Sequence, residues 1–176
     1  MPNYRRTFVP GGTWFFTVNL LRRRGSNLLV REIELLRSSV RRVRAKHPFR
    51  IDAWVVLPEH MHCIWTLPPD DGDFSTRWRL IKHGVSRSLP RTERIADLRA
   101  ANGERGIWQH RFWEHLLRDG TDFTRHFDYV HVNPVKHGYV RRVRDWPYST
   151  FHRCVAGGIY PENWCGDMDA TVPGED

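Results

Sequence analysis

Cysteine is scarce in this sequence, and it has no long apolar run. The three cysteines, Cys63, Cys154 and Cys165, form no C-x-x-C pair, and an odd number cannot complete an intramolecular disulfide framework, which favours a reducing compartment. No stretch approaches the roughly 20 apolar residues of a membrane span, and the N-terminal region has no continuous apolar segment of the secretory kind. We therefore expect a cytoplasmic, unexported protein without a membrane segment.

Internal repeats and low-complexity tracts are also absent from the sequence. A length of 176 residues suffices for one domain with a buried core, and a hydrophobic share of 40% with 8 tryptophans excludes a disordered chain. Gly and Pro punctuate the C-terminal part, which shows little periodicity. We predict one domain over residues 1–145, followed by a tail over residues 146–176.

The sequence is strongly basic, with a formal net charge of +8 at pH 7. All 28 Lys and Arg lie at or before Arg153, and five of the 20 acidic residues follow it, so residues 1–153 carry +13. Basic side chains that neutralise phosphates release counterions, so this charge indicates a polyanionic partner, with solubility alone as the alternative. The acidic tail could fold back over a basic groove and restrain that partner, or be an ordinary chain end.

Strand-like and helix-like hydrophobic patterns alternate along the chain. The predicted elements are a strand over 13–19, a helix over 30–46, strands over 51–57 and 60–67, a helix from about Ser75, a strand over 112–117 and a helix ending near Pro134. Residues 90–106 form a charged insertion. This order predicts an α+β, ferredoxin-like β-α-β-β-α-β antiparallel sheet with an added C-terminal helix. We expect helices mainly on one face, with the other face free for a substrate.

Two pairs of polar residues have spacings that suit chemistry. His60 and His62 are two apart in a predicted strand, so both project from one face about 6.6 Å apart; they can converge on one metal ion or simply pack in the core. Tyr129 and Asn133 are four apart on the last helix and are neighbours on its surface. A phenol can attack a phosphodiester when a cation offsets its pKa of about 10, and an Asn one turn further can ligate that cation. A structural Tyr is the alternative.

Two segments carry a family resemblance. The segment Leu57-Pro58-Glu59-His60-Met61-His62-Cys63-Ile64-Trp65 resembles the His-hydrophobe-His (HUH) motif of single-tyrosine transposases, and the segment from Phe127 to Gly138 resembles their tyrosine helix. More narrowly, the chain resembles the REP-associated tyrosine transposases, a domesticated bacterial branch linked to repetitive extragenic palindromes, from Tyr4-Arg5-Arg6 to residues 146–153. The resemblance implies the HUH endonuclease fold, with the tyrosine on the added helix.

The resemblance also implies a reaction. His60, His62 and Asn133 would bind a divalent metal, Mg²⁺ or Mn²⁺, and Tyr129 would attack the scissile phosphate of single-stranded DNA. Cleavage would leave a 3′-hydroxyl and a 5′-phosphotyrosine that a second hydroxyl reverses, so no nucleotide cofactor is implied. This chain has Asn133 where many related transposases have Gln.

The implied partner is single-stranded or hairpin DNA of REP-like repeats, bound by a cytoplasmic protein that is nucleoid-associated when it holds DNA. We expect a monomer, as in the REP-associated group; the alternative is a dimer like that of mobile single-tyrosine transposases, in which each tyrosine helix serves the partner's metal site. Candidate DNA contacts are basic or aromatic side chains: Tyr4, Arg5, Arg6, Arg37, Arg41, Arg44, Arg77, Lys82 and Lys136. Glu59, His131 and His137 are interpreted as solvated or satisfied polar residues, with ligand orientation by Glu59 and phosphate contact by the histidines as alternatives. Two other function classes stay open: a catalytically silent DNA-binding module, and a metal-dependent hydrolase that uses water.

Overall fold

A computed structural model describes residues 8–91 and 105–166 of the chain. Its elements in chain order are β1 (Thr13–Asn19), α1 (Leu28–Arg31), α2 (Ile33–Lys46), β2 (Arg50–Val56), β3 (His60–Thr66), α3 (Phe74–Ser88), β4 (Trp113–Leu116), α4 (Gly120–Lys136), a 3-10 turn (Val143–Asp145) and α5 (Phe151–Ala156). Tyr4, Arg5 and Arg6 lie outside the described residues, as do most of the predicted insertion and the last ten residues of the predicted tail.

The four strands form one sheet in the order β2-β3-β1-β4, and every neighbouring pair is antiparallel. The two strands of each β-α-β unit are therefore separated by a strand of the opposite direction, which is the split arrangement of the ferredoxin-like plan. The predicted fold class is confirmed. Within the described residues, no helix combines the length and apolar character that crossing a membrane requires.

One face of the sheet carries the first hydrophobic core, against α2 and α3. Trp14, Phe16 and Val18 of β1 point to this face because side chains alternate along a strand. The two helices approach closely where Gly84 of α3 meets Ser39 of α2, whose hydroxyl donates to the carbonyl of Ile81 at 3.0 Å. A side chain at position 84 would collide with that hydroxyl, so glycine permits the close approach.

The opposite face is covered too, and the prediction of a free substrate face is wrong. Tyr129, Val130 and Val132 of α4 pack with Phe15 and Ile64 of the sheet in a second hydrophobic core. The apolar stripe that the sequence suggested for this helix is too narrow, because every residue from 129 to 134 is buried. Within the described residues, a site on this face must therefore be built from polar side chains that lie among the apolar residues of the second core.

The segment after α4 belongs to the same core. Trp146, Phe151 and Tyr160 are buried in it, and the indole Nε1 of Trp146 donates to the carbonyl of Val56 at 3.0 Å. An isolated β-bridge also joins Ser149 to Val55 of the edge strand. The described part of the predicted tail is therefore packed into the domain; the boundary at residue 145 stays a prediction.

Candidate active site

The two histidines of β3 lie on the sheet face that α4 covers. His60 begins the strand and His62 follows two residues later, so both project to the side of Ile64. Each is 2% exposed, and their ring centres are 4.9 Å apart with the planes nearly perpendicular. The structure thus brings the predicted histidine pair together inside the molecule.

His62 is held as a neutral imidazole. Its Nδ1 is hydrogen-bonded to the hydroxyl of Thr17 at 2.9 Å, from the facing position of β1. Burial lowers the pKa of His62 well below its ordinary value, and electrostatic repulsion from the neighbouring His60 and His137 lowers it further. With Nδ1 engaged by Thr17, Nε2 is the nitrogen left to bind an ion, which requires the neutral ring.

His60 is oriented by the carboxylate of Glu59, which the sequence predicted to be a solvated turn residue. Glu59 accepts a hydrogen bond from Nδ1 of His60 at 2.9 Å, and its second oxygen accepts from the hydroxyl of Tyr139 at 3.0 Å. Burial of Glu59 opposes its ionisation, but His60 and Tyr139 outweigh it, so the pKa of Glu59 is lowered. Burial and the bond to Glu59 raise the pKa of Tyr139 to about 12. Metal-binding histidines are commonly held this way.

Tyr129 reaches the histidine pair from α4. Its ring is fully buried, with its centre 5.3 Å from that of His62, and Nζ of Lys136 lies 5.2 Å from the ring centre. Asn133 is one turn further along the same helix face and is also fully buried. Tyr129 therefore meets the histidine pair between β3 and α4, although 67 residues separate His62 from Tyr129, and Asn133 lies one turn further along the helix.

The buried polar atoms at this point suit a small divalent cation. Nε2 of His62 and both side-chain atoms of Asn133 have no hydrogen-bond partner within the described ranges. Leaving such groups buried and unpaired is costly, so the arrangement is explained best by a ligand that engages them. Two imidazole nitrogens and an amide oxygen form a donor set that suits Mn²⁺ better than Mg²⁺, which prefers oxygen ligands.

The site is closed in this structure. Tyr129 and Asn133 are fully buried and the two histidines nearly so, which means that a phosphodiester can reach the phenol only after the site opens. The exposed residues at its edge are His137, whose ring centre is 5.1 Å from that of His60, and Tyr139. Lys136 is half-buried beside them.

His131 has a structural position instead. It is fully buried, bonded through Nδ1 to the carbonyl of Phe127 at 2.8 Å and through Nε2 to the hydroxyl of Thr150 at 2.9 Å. Burial lowers its pKa to about 4, in spite of the bond to Phe127. His131 therefore ties α4 to the segment that precedes α5. Its polar atoms are satisfied by hydrogen bonds, as predicted, but it is buried and does not lie at the surface.

The predicted DNA contacts differ in their surroundings. Arg37, Arg41 and Arg44 are exposed along α2, where they line one side of a groove of about 340 Å³. Arg37 also pairs with Glu34 at 2.6 Å, and Arg44 donates to the carbonyl of Phe49 at 3.0 Å. These arginines lie on the first-core side of the molecule.

Arg77 and Lys82 are engaged inside the protein. Arg77 is 1% exposed and donates to the carboxylate of Asp71 and to the carbonyls of residues 47, 48 and 73. Lys82 is half-buried and donates to the carbonyl of Gln109 at 2.7 Å. In this structure Arg77 fastens the start of α3 to two loops, and it has no surface to offer to DNA.

Comparison with known proteins gives two strong matches and a close structural match, although no family model matches the sequence. The REP-associated tyrosine transposase of Escherichia coli (strain K12) is 52% identical over 175 residues, covering 99% of this chain and 98% of that protein. A Haemophilus influenzae relative is 44% identical over 176 residues, covering 99% of each protein. A solved REP-associated tyrosine transposase, bound to a REP hairpin, is 52% identical with a TM-score of 0.85, covering 100% of this chain and 98% of that chain.

Proposed function

Because the chain belongs to the REP-associated tyrosine transposases, we propose that it cleaves and rejoins single-stranded DNA at REP-type hairpins through a 5′-phosphotyrosine intermediate. The observation that carries this proposal is the contact between the rings of Tyr129 and His62, which are 5.3 Å apart inside one chain. Tyr129, the proposed nucleophile, is far in the sequence from the two histidines, the proposed metal ligands. They meet at one point of the fold, as a phosphoryl transfer site requires.

The hairpin substrate is supported by the relative that was solved with a REP hairpin and that this chain matches over its whole length. The charge of residues 1–153 provides the general attraction to a phosphate backbone. We assign backbone contacts to the exposed arginines of α2 (Arg37, Arg41 and Arg44) and to Lys136 at the edge of the active site. Phosphate contacts of this kind position DNA without reading its sequence.

The reaction of Tyr129 is an in-line displacement. Its oxygen bonds to the phosphorus and gives up its proton, while the bond from phosphorus to the 3′ oxygen breaks and that oxygen takes a proton. The product is a 3′-hydroxyl and a DNA 5′ end joined to the protein. The charge of Lys136 beside the ring favours the anionic phenol, and the reverse attack by a 3′-hydroxyl rejoins DNA.

His60, His62 and Asn133 are the residues that would hold a divalent cation, which supplies positive charge to the scissile phosphate. Thr17 and Glu59 keep the two imidazoles turned so that the opposite nitrogens face the site. Tyr139 in turn holds Glu59, so the chain segment after α4 contributes to the orientation of His60.

The test is the covalent adduct itself. Purified protein is incubated with Mn²⁺ and a hairpin carrying a 3′-flanking single strand labelled at its 3′ end, and a labelled band that resists denaturation is expected. Tyr129→Phe should abolish the band, and Tyr148→Phe should retain it as the matched control. Binding without any cleavage would instead indicate a silent binding module, and cleavage that survives Tyr129→Phe would indicate a hydrolase that uses water.

A further inference from the structure

A second group of metal-binding side chains lies where the edge strand β4 meets the first turns of α4. It consists of His115, Asp122 and His126, and each offers a ligand atom within 4.8 Å of the other two. The ring of Phe15 lies between this group and the active site. Its centre is 4.9 Å from that of His126 on one side and 5.6 Å from that of His62 on the other. Within the described residues, no other group of three His, Cys, Asp or Glu side chains comes so close together.

The fold sets this geometry through two elements. Asp122 and His126 are four residues apart on α4, a spacing that places two ligands on one helix face, and His115 projects from β4 opposite Phe15. Oδ2 of Asp122 is 2.9 Å from Nε2 of His115, and its Oδ1 is 3.0 Å from Nδ1 of His126. That Nδ1 is also hydrogen-bonded to the backbone carbonyl of Asp122 at 2.8 Å, so an ion must replace this bond or use Nε2 of His126. Ligand atoms around a tetrahedral zinc ion with bonds of about 2.0–2.1 Å are about 3.3 Å apart, and the ligand atoms of this group lie within 4.8 Å of one another.

The group has the charge states that a metal needs. Burial raises the pKa of Asp122, but the hydrogen bonds from His115 and from the Arg118 amide outweigh it, so the carboxylate is ionised at neutral pH. Burial lowers the pKa of His126, against the effect of Asp122, and keeps that imidazole neutral. Nε2 of His126 is buried and has no hydrogen-bond partner in residues 8–91 and 105–166. The side chains of His115 and Asp122 are 22% exposed, which leaves an approach from solvent.

We propose that His115, Asp122 and His126 bind one transition-metal ion of the Zn²⁺ class, with water as the fourth ligand. Two imidazoles and one carboxylate suit Zn²⁺ and Co²⁺ and disfavour Mg²⁺ and Ca²⁺, which prefer oxygen ligands. The ion fastens β4 to α4 one turn before Tyr129. Its role is to hold the nucleophile's helix against the sheet, and it does not touch the reacting atoms.

Cobalt titration of a variant without the active-site histidines tests this site. Tag-free His60→Ala/His62→Ala protein is stripped with EDTA and titrated with Co²⁺, and absorption in the visible range should show one bound equivalent. Adding His115→Ala should remove it, whereas adding His83→Ala, which deletes an exposed imidazole on α3, should not. Because the background lacks two proposed catalytic ligands, the result does not depend on whether the proposed nuclease chemistry is correct.

Thermal unfolding gives a second measurement. At a Zn²⁺ concentration about 100 times the dissociation constant, the midpoint of the double variant should rise by about 5–10 °C. Asp122→Asn in the same background keeps the side-chain shape and should abolish the rise, so it replaces His115→Ala if that variant fails to fold. No bound equivalent in the double variant, or binding that survives both His115→Ala and Asp122→Asn, overturns the proposal.

Discussion

Replacing Glu59 with Gln removes one negative charge next to His60 and preserves the size of the side chain. The carboxylate accepts from Nδ1 of His60 at 2.9 Å and is 12% exposed, so solvent screens this bond only weakly. Loss of such a support around a metal ligand costs about 10–100-fold in metal affinity, which corresponds to about 1.4–2.7 kcal/mol. We expect the Mn²⁺ concentration for half-maximal adduct formation to rise by this factor in Glu59→Gln.

Tyr139→Phe should produce the same effect at a smaller size. Its hydroxyl bonds to the other oxygen of Glu59, but the residue is 40% exposed, so water replaces part of the lost bond. We expect a rise of about 3–10-fold, because the change acts one step further from the ligand. DNA affinity measured in EDTA should stay at the wild-type value in both variants.

Glu162→Gln is the matched control, because this carboxylate is 72% exposed and pairs with Arg144 away from the active site. Adduct formation is followed on denaturing gels over a Mn²⁺ series at fixed DNA and protein concentrations. If Glu59→Gln reaches half-maximal yield at the wild-type Mn²⁺ concentration, the carboxylate does not orient the metal ligand and the reasoning is refuted. A smaller shift in Glu59→Gln than in Tyr139→Phe would also contradict the proposed order of contacts.

Three further outcomes follow from the packing and the charges. Gly84→Ala should lower the free energy of unfolding by about 1–2 kcal/mol in urea, because its methyl group displaces the buried hydroxyl of Ser39 and overrides the better helix propensity of Ala. His131 has a pKa of about 4 when folded and about 6.5 when unfolded, so stability should fall by about 3 kcal/mol between pH 6.5 and 4. Arg41→Ala should weaken binding to all hairpin sequences alike and reduce the slope of log K against log salt by about 1.

Each of these outcomes has a control. Gly120→Ala places its methyl group in open space and should leave stability unchanged, so an equal loss there would contradict the packing argument. Between pH 6.5 and 4 the unfolded state binds a proton at His131 that the folded state does not bind, so stability falls as the pH is lowered. His131→Gln should flatten this dependence of stability on pH. Arg87→Ala, on the exposed side of α3, should keep the wild-type salt slope; equal slopes in Arg41→Ala and wild type would remove Arg41 from the interface.

The sequence was sufficient for features that depend on local periodicity. The alternation of β3 places His60 and His62 on one face, and the helical spacing of Tyr129 and Asn133 places them on neighbouring turns, whatever the rest of the chain does. The strand order was also accessible, because a β-α-β-β-α-β sequence of elements permits few ways of closing a sheet. The contact between α4 and β3 could be expected from the family resemblance alone, since no local sequence pattern specifies it.

Features that depend on distant partners could not be found this way. Glu59 resembles a solvated turn residue until Tyr139, 80 residues later, is brought against it. Arg77 falls on the polar stripe of its helix, but the loop carbonyls and the carboxylate of Asp71 enclose it. α4 ends two residues after Pro134, at Lys136, which agrees with the approximate end that the sequence predicted.

The burial of residues 129–134 of α4 indicates whose tyrosine each molecule uses. The helix is sealed between the sheet and the segment that contains α5, so lending it to a neighbouring molecule would expose a large apolar surface to water. Each molecule should therefore nick DNA with its own Tyr129. Once DNA is bound, cleavage is then a first-order event, and its rate should not change when the complex is diluted.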